Sequence, residues 1–239
     1  MNLLIDLGNT RAKITLCAED GRIVQHFERK SLSVAWLTDL FNTFLITRSI
    51  LCSVVAHSSE IVDFLAAKTD FVLLTHETPL PIKLEYATPH TLGKDRISGS
   101  CGAWQRFPNS NNLVIDAGTC IKYDFTTAEG NYIGGSISAG ISMRFRAMHE
   151  FTAKLPLVTR QRLDGFVGYN TETALRTGTQ LGAALEAKGF IELYTQRYDA
   201  LNIIVTGGDA PYLLPYLPRT AVHDKFLIIK GLHAILQNI

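Results

Sequence analysis

Two stretches of this chain end an apolar run in an aspartate followed by a glycine turn: Leu4-Ile5-Asp6-Leu7-Gly8-Asn9-Thr10 and Val114-Ile115-Asp116-Ala117-Gly118-Thr119-Cys120. In the first, Gly8 permits a close, positive-φ backbone approach, and successive N–H groups with the Asn9 and Thr10 side chains can form a concavity for phosphate oxygens. A carboxylate there would repel phosphate directly. Asp6 makes sense beside phosphate only if it holds a hydrated Mg²⁺ that bridges the two, because Mg²⁺ uses few carboxylates and keeps several waters. The second turn, Asp116 to Thr119, repeats that logic, and two such turns facing each other would clamp the β- and γ-phosphates of a nucleotide. Each turn alone also reads as an ordinary hairpin whose Asp and Asn satisfy turn backbone. There is no G-x-x-x-x-G-K-[ST], and no G-x-G-x-x-G follows a strand, so Walker and Rossmann sites are disfavoured.

Between the two turns stands Leu92-Gly93-Lys94-Asp95-Arg96, preceded by Tyr86 and Pro89-His90 and followed by the small-residue run Ile97 to Ala103. Asp95, between two cations, stays ionised and can orient a hydroxyl or accept its proton, while Arg96 offers a planar fork to a carboxylate. As a bare pattern this is also a charged helix start, with Asp95 near the positive end of the macrodipole. Further on, Ile203-Ile204-Val205 breaks into Thr206-Gly207-Gly208-Asp209, where exposed backbone can lie against an adenine ring and ribose or simply turn a strand into a helix. Gly134 to Gly140 is another glycine-rich connection leading to a helix.

These residues need strands and helices to position them. Strands are predicted at 2–5, 12–17, 49–55, 71–74, 112–115, 132–137 and 202–205, from apolar runs bounded by Gly, Asn and Asp. Apolar spacing near three or four predicts helices at 33–45, 60–67, 171–194 and 231–237. The segment 75–83, with Pro79 and Pro81, is helix-hostile and reads as a loop leading into the site region. The class is α/β. The two Asp-x-Gly stretches match at a spacing of 110 residues, which reads either as two similar halves, 1–111 and 112–239, or as a coincidence between two hairpins.

Composition narrows the partners. The 239 residues are 46% hydrophobic, with 23 basic against 22 acidic side chains, so the basic surface of a nucleic-acid binder is missing. The cysteines Cys17, Cys52, Cys101 and Cys120 are scattered, with no metal-ligand spacing, as free thiols in a reducing cytoplasm would be. No apolar run approaches the ~20 residues of a membrane span.

The ordered set of motifs resembles the type III pantothenate kinase family. The family's D-x-G-N-T-x-x-K stands as Asp6 to Lys13, its G-x-D-R as Gly93 to Arg96, its D-x-G-T as Asp116 to Thr119, and a helix-opening Asn-Thr as Asn170-Thr171. The resemblance implies a fold of the acetate-kinase/hexokinase/Hsp70/actin type, with two ribonuclease-H-like halves and the nucleotide site in the cleft between them. It implies ATP-dependent phosphorylation of pantothenate, the first step of coenzyme A biosynthesis, by a cytoplasmic homodimer. By that resemblance Asp6, Leu7, Gly8, Asn9, Thr10, Arg11, Ala12, Lys13 and Thr119 bind ATP, and Asp95 is the proton acceptor. Tyr86, Gly93, Lys94, Asp95, Arg96 and Thr171 contact pantothenate, Asp6 holds Mg²⁺ through water, and Asp116 holds a monovalent cation, K⁺ or NH₄⁺. One departure is visible: Ala139 stands where the family's glycine-rich stretch has proline, which costs that loop rigidity. The rival readings are a sugar or polyphosphate kinase or phosphatase of the same fold, and a nucleotide-binding accessory protein of transcription.

Overall fold

The computed structural model describes every residue, Met1–Ile239, and the chain divides into two compact units, Met1–Pro108 with Phe226–Ile239, and Asn109–Lys225. The first unit opens with β1 (Asn2–Leu7), β2 (Ala12–Cys17), β3 (Ile23–Arg29), α1 (Val34–Thr43), β4 (Arg48–Ser53), α2 (Ser59–Lys68), β5 (Asp70–Leu73), the two-residue β6 (Lys83–Leu84) and α3 (Lys94–Arg106). The second holds β7 (Asn111–Ala117), β8 (Cys120–Thr126), β9 (Asn131–Ala139), α4 (Ile141–Glu150), α5 (Thr171–Arg176), α6 (Gly182–Arg197), β10 (Leu201–Thr206), the short α7 (Ala210–Leu213) and β11 (Val222–His223). The closing helix α8 (Leu227–Gln237) returns to the first unit. A division at 111/112 therefore misassigns this helix, whose partners α3, β1 and β4 are remote in sequence.

In the first unit the strands run in the order β3-β2-β1-β4-β5, with β1 antiparallel to β2 and parallel to β4. All six residues of β1 are buried, as expected of a strand covered on both faces. One face carries Leu3, Ile5, Leu7 and Leu51 and packs on Leu37 and Leu40 of α1 and Ile61 and Leu65 of α2. Both helices start on a serine cap: Trp36 N–H donates to Ser33 Oγ at 3.3 Å, and Glu60 N–H to Ser58 Oγ at 3.2 Å. Side-chain alternation sends Leu4, Asp6, Ile50 and Cys52 to the opposite face, where α3 and α8 lie. Those two helices touch through glycines. A Cβ on Gly231 would stand 1.7 Å from the Ser98 carbonyl oxygen, and one on Gly102 would stand 2.3 Å from that of Leu227.

The second unit repeats the plan, with strand order β11-β10-β7-β8-β9, β7 antiparallel to β8 and parallel to β10. Thus β7, β8, β9, β10 and β11 correspond in order and direction to β1, β2, β3, β4 and β5, so the spacing between the two Asp-x-Gly stretches reflects a repeated topology. Its core joins Leu113, Ile115, Tyr123, Phe125 and Val205 to Ala183, Ala187 and Ile191 of α6. The helix predicted as continuous over 171–194 is interrupted by a π-turn at Thr177–Leu181. There the Gln180 side chain accepts from Gln161 N–H at 3.0 Å and donates to the Gln161 carbonyl at 2.7 Å, tying the loop to the helix.

One histidine makes the first unit pH-sensitive. His233 of α8 packs against Gly21, and burial lowers its pKa from 6.5. As pH falls from 6.5 towards the lower folded value, the unfolded chain binds a proton that the folded chain refuses, so stability is lost over that window. The denaturant midpoint is expected to fall as pH is taken from about 7 to about 5. A His233→Gln variant should show a flatter profile over that range; an unchanged slope would contradict the assignment.

Candidate active site

In the first unit, β1 and its neighbours bring their chemistry to one end of one sheet face. Asp6 is paired in register with Lys13 of β2 and with Cys52 of β4, so all three side chains share that face. Lys13 Nζ stands 3.8 Å from Asp6 Oδ2, an ion pair outside direct hydrogen-bond distance. The turn between the strands is closed by Gly8 N–H donating to Arg11 O at 3.1 Å. Gly8 is not among the positive-φ glycines, and its N–H is spent inside the turn. The expected concavity therefore begins one residue later, at Asn9 and Thr10, which are exposed together with Arg11.

Helix α3 delivers the second carboxylate to the same place. Gly93 is its N-cap, which puts Lys94, Asp95 and Arg96 in the first turn. Asp95 Oδ1 folds back to accept from the Arg96 N–H at 2.9 Å. A Cβ at Gly93 would stand 2.6 Å from that oxygen, so a side chain there would push the carboxylate from its place over the helix start, which gives the G-x-D-R pattern a steric reason. Cys52 reports the result. Burial first, then the charges of Asp6 and Asp95, push its thiol well above its ordinary value, while a hydrogen bond from Ser98 and the charge of Lys94 act the other way. Asp6 lies beside this buried thiol in register, and Ser98 of α3 reaches it with a hydrogen bond. Arg96, only 6% exposed, lies with its guanidinium 5.9 Å from the centre of the Tyr86 ring, which joins two of the expected substrate residues.

The second unit builds the corresponding site on β7 and β8. Gly118 N–H donates to Cys120 O at 2.9 Å and leaves Thr119 exposed at the tip. Two glycines hold this turn from outside. A Cβ at Gly140 would meet the carbonyl oxygens of Gly118 and Thr119 at 2.2 and 2.4 Å. One at Gly207, where φ is +91°, would meet Ala117 O at 2.2 Å and Asp116 Oδ1 at 2.6 Å. Asp209 N–H donates to Ala117 O at 2.8 Å, and its buried carboxylate pairs with Arg160. Glycine at 207 is therefore needed for close approach to the turn, whatever lies on its outer side.

The glycine-rich stretch expected as a loop is mostly strand β9, and its end, at Ala139, has a brace. Arg144 Nε donates to Ala139 O at 2.8 Å, and Arg144 Nη2 reaches Ser138 Oγ at 2.9 Å and Glu186 Oε2 at 2.6 Å. Tyr123 donates its hydroxyl to the other Glu186 oxygen at 3.0 Å. Thr171 opens α5 on the surface of the second unit, behind a capping box in which Asn170 and Thr173 satisfy each other's backbone. Three groups were not legible as site residues in the sequence: Ser98, Arg144 and Lys122. The last lies across the strand pair from Asp116, its ammonium 2.5 Å from Oδ2.

Comparison with known proteins gives this geometry a context. Residues 2–193 match the family model described as type III pantothenate kinase. A type III pantothenate kinase of Christiangramia forsetii is 39% identical, covering 99% of this chain and 98% of that protein. Among solved structures, a putative Baf family transcriptional activator from Campylobacter jejuni superposes with a TM-score of 0.62 at 24% identity, covering 98% of this chain and 97% of the other. A putative 2-dehydro-3-deoxygalactonokinase from Sinorhizobium meliloti reaches 0.63 at 14% identity, covering 98% of each. At such identities these structures show the fold alone, and it is the α/β fold of the sugar-kinase and actin-like group.

Proposed function

This chain belongs to the type III pantothenate kinase family, and on that premise we propose that Asp95 is the group that receives and orients the substrate hydroxyl. The reaction is the ATP-dependent phosphorylation of pantothenate in coenzyme A biosynthesis, with a divalent metal ion accompanying ATP. The observation that carries the role of Asp95 is its place in the first turn of α3, where its carboxylate folds back over the helix start and accepts from the Arg96 N–H at 2.9 Å.

Phosphoryl transfer passes through a loose transition state, so the protein's work is positioning and charge neutralisation. Asp95, held over the α3 N-terminus, aligns the hydroxyl in line with the phosphoryl group and takes its proton late. Arg96, stacked near Tyr86, presents a planar fork that matches the pantothenate carboxylate, and Gly93, Lys94 and Thr171 complete the substrate contacts. In the first unit the turn from Asp6 to Lys13 faces the phosphates of ATP; in the second, Thr119 has that role. Asp6 fits Mg²⁺ held through water, because its carboxylate stands near the end of β1 beside the turn and Lys13 stays at 3.8 Å, beyond hydrogen-bond distance. Bound there, the ion would offset charge on the phosphate oxygens. A potassium or ammonium ion at Asp116 does not fit in the same way: the Lys122 ammonium already stands on that carboxylate. The reading includes a cytoplasmic homodimer, consistent with four free cysteines kept reduced.

The test is a coupled ADP-release assay on the purified protein with Mg²⁺ and ATP. Release is expected to depend on pantothenate. Release driven instead by a hexose, or none with pantothenate, would overturn the assignment.

A further inference from the structure

On the kinase reading above, we propose that Lys122 is this enzyme's built-in cation at Asp116, so that ATP binding and turnover need no monovalent ion from solution. Asp116 and Lys122 are direct partners across the antiparallel pair β7/β8, and Nζ approaches Oδ2 to 2.5 Å. Both side chains are largely covered, 14% and 16% exposed, so solvent screens the pair little. The first unit has the same device in looser form: Lys13 faces Asp6 at 3.8 Å and is 33% exposed. The repeated topology therefore places a lysine opposite the aspartate of each turn, and only the second makes direct contact.

The other carboxylate oxygen lies beside a backbone segment of the same unit. Asp116 Oδ1 lies so near the Gly207 backbone that a Cβ there would be 2.6 Å away. A potassium ion is held by a shell of several oxygens that replaces its hydration. At Asp116 one oxygen is engaged by an ammonium and the other lies beside the Gly207 backbone, so an external ion seated on Oδ2 would have to displace Lys122. The chemical requirement is met from within the chain: a positive charge cancels the Asp116 carboxylate beside a turn that faces phosphate. Because Lys122 is anchored in a strand, that charge is present at fixed stoichiometry and does not depend on ion concentration.

The experiment uses the full-length protein in a choline buffer freed of K⁺ and NH₄⁺. Titration calorimetry measures Mg²⁺–ATP binding, and the coupled assay measures ADP release. Adding K⁺ or NH₄⁺ to about 100 mM should change either by less than about twofold in the wild type. Lys122→Met should weaken ATP binding at least about tenfold and regain part of it when K⁺ or NH₄⁺ is supplied, whereas Lys122→Arg should bind without added ion. Stimulation of the wild type by more than about tenfold, or a folded Lys122→Met that binds ATP normally, would overturn the proposal. If Lys122→Met does not fold, the wild-type ion titration and Lys122→Arg decide it. Absence of pantothenate-dependent ADP release would count against the kinase reading, while the ATP titrations would still decide the role of Lys122.

Discussion

Asp95→Asn is expected to lower turnover by about two to four orders of magnitude, the usual loss when a positioned acid–base group is removed. The substitution is close to isosteric. Asparagine Oδ1 can still accept from the Arg96 N–H and still needs the clearance that Gly93 provides. The start of α3 therefore keeps its geometry. Loss of the charge forfeits a favourable interaction with the helix N-terminus of about 0.3–1 kcal/mol, which at this chain length moves the melting temperature by only a few degrees. ATP binding, assigned to the glycine turns, should stay within about twofold. A large fall in kcat with near-normal nucleotide affinity separates orientation of the hydroxyl from a structural role. Full turnover by the purified variant would remove Asp95 from the mechanism.

Gly231→Ala should be the most damaging conservative change in the first unit. Its Cβ would lie 1.7 Å from the Ser98 carbonyl oxygen and 2.9 Å from the Gly102 nitrogen, both backbone atoms that no rotamer change can move aside. Helices α3 and α8 must part. Overpacking of this kind costs about 1–3 kcal/mol or more, so the melting temperature should fall by about 2–4 °C per kcal/mol. Activity should fall too at temperatures where the variant is folded, because α3 carries Asp95 and Ser98. Gly189→Ala in α6 is the control: nothing lies within 4 Å of the added Cβ, so the better helix former should stabilise by roughly 0.5–1 kcal/mol. Equal stability changes at the two glycines would show that the close approach of α3 and α8 is not what glycine serves at 231.

Much of the site was legible because its signals are local. An apolar run into Asp-x-Gly is a strand and a turn wherever it occurs, and the repeat of that pattern reflects the repeated strand order of the two units. The G-x-D-R set reads locally as well, as either a helix start or a base with its carboxylate fork; the structure makes it both. Strand β3 was missed because Ile23–Arg29 mixes polar and apolar residues along an edge strand with no clean alternation. The rest of α3 was missed because Ser98 to Gly102 is too small and polar to show an apolar stripe, although that smallness lets α8 approach.

By itself the sequence determined the class, the two Asp-x-Gly turns and the identity of the groups able to handle phosphate, hydroxyl and carboxylate. These depend on residue type and on spacings of a few positions. Tertiary structure alone decided that α8 closes the first unit, that Gly140 and Gly207 hold the second turn, and that α3 packs against β4, the strand that pairs Cys52 with Asp6. It also decided that Asp116 already has a cation. The physical reason is register and long-range approach: Lys122 reaches Asp116 only because β7 and β8 pair in one alignment, and a slip of one residue would turn it to the other face of the sheet.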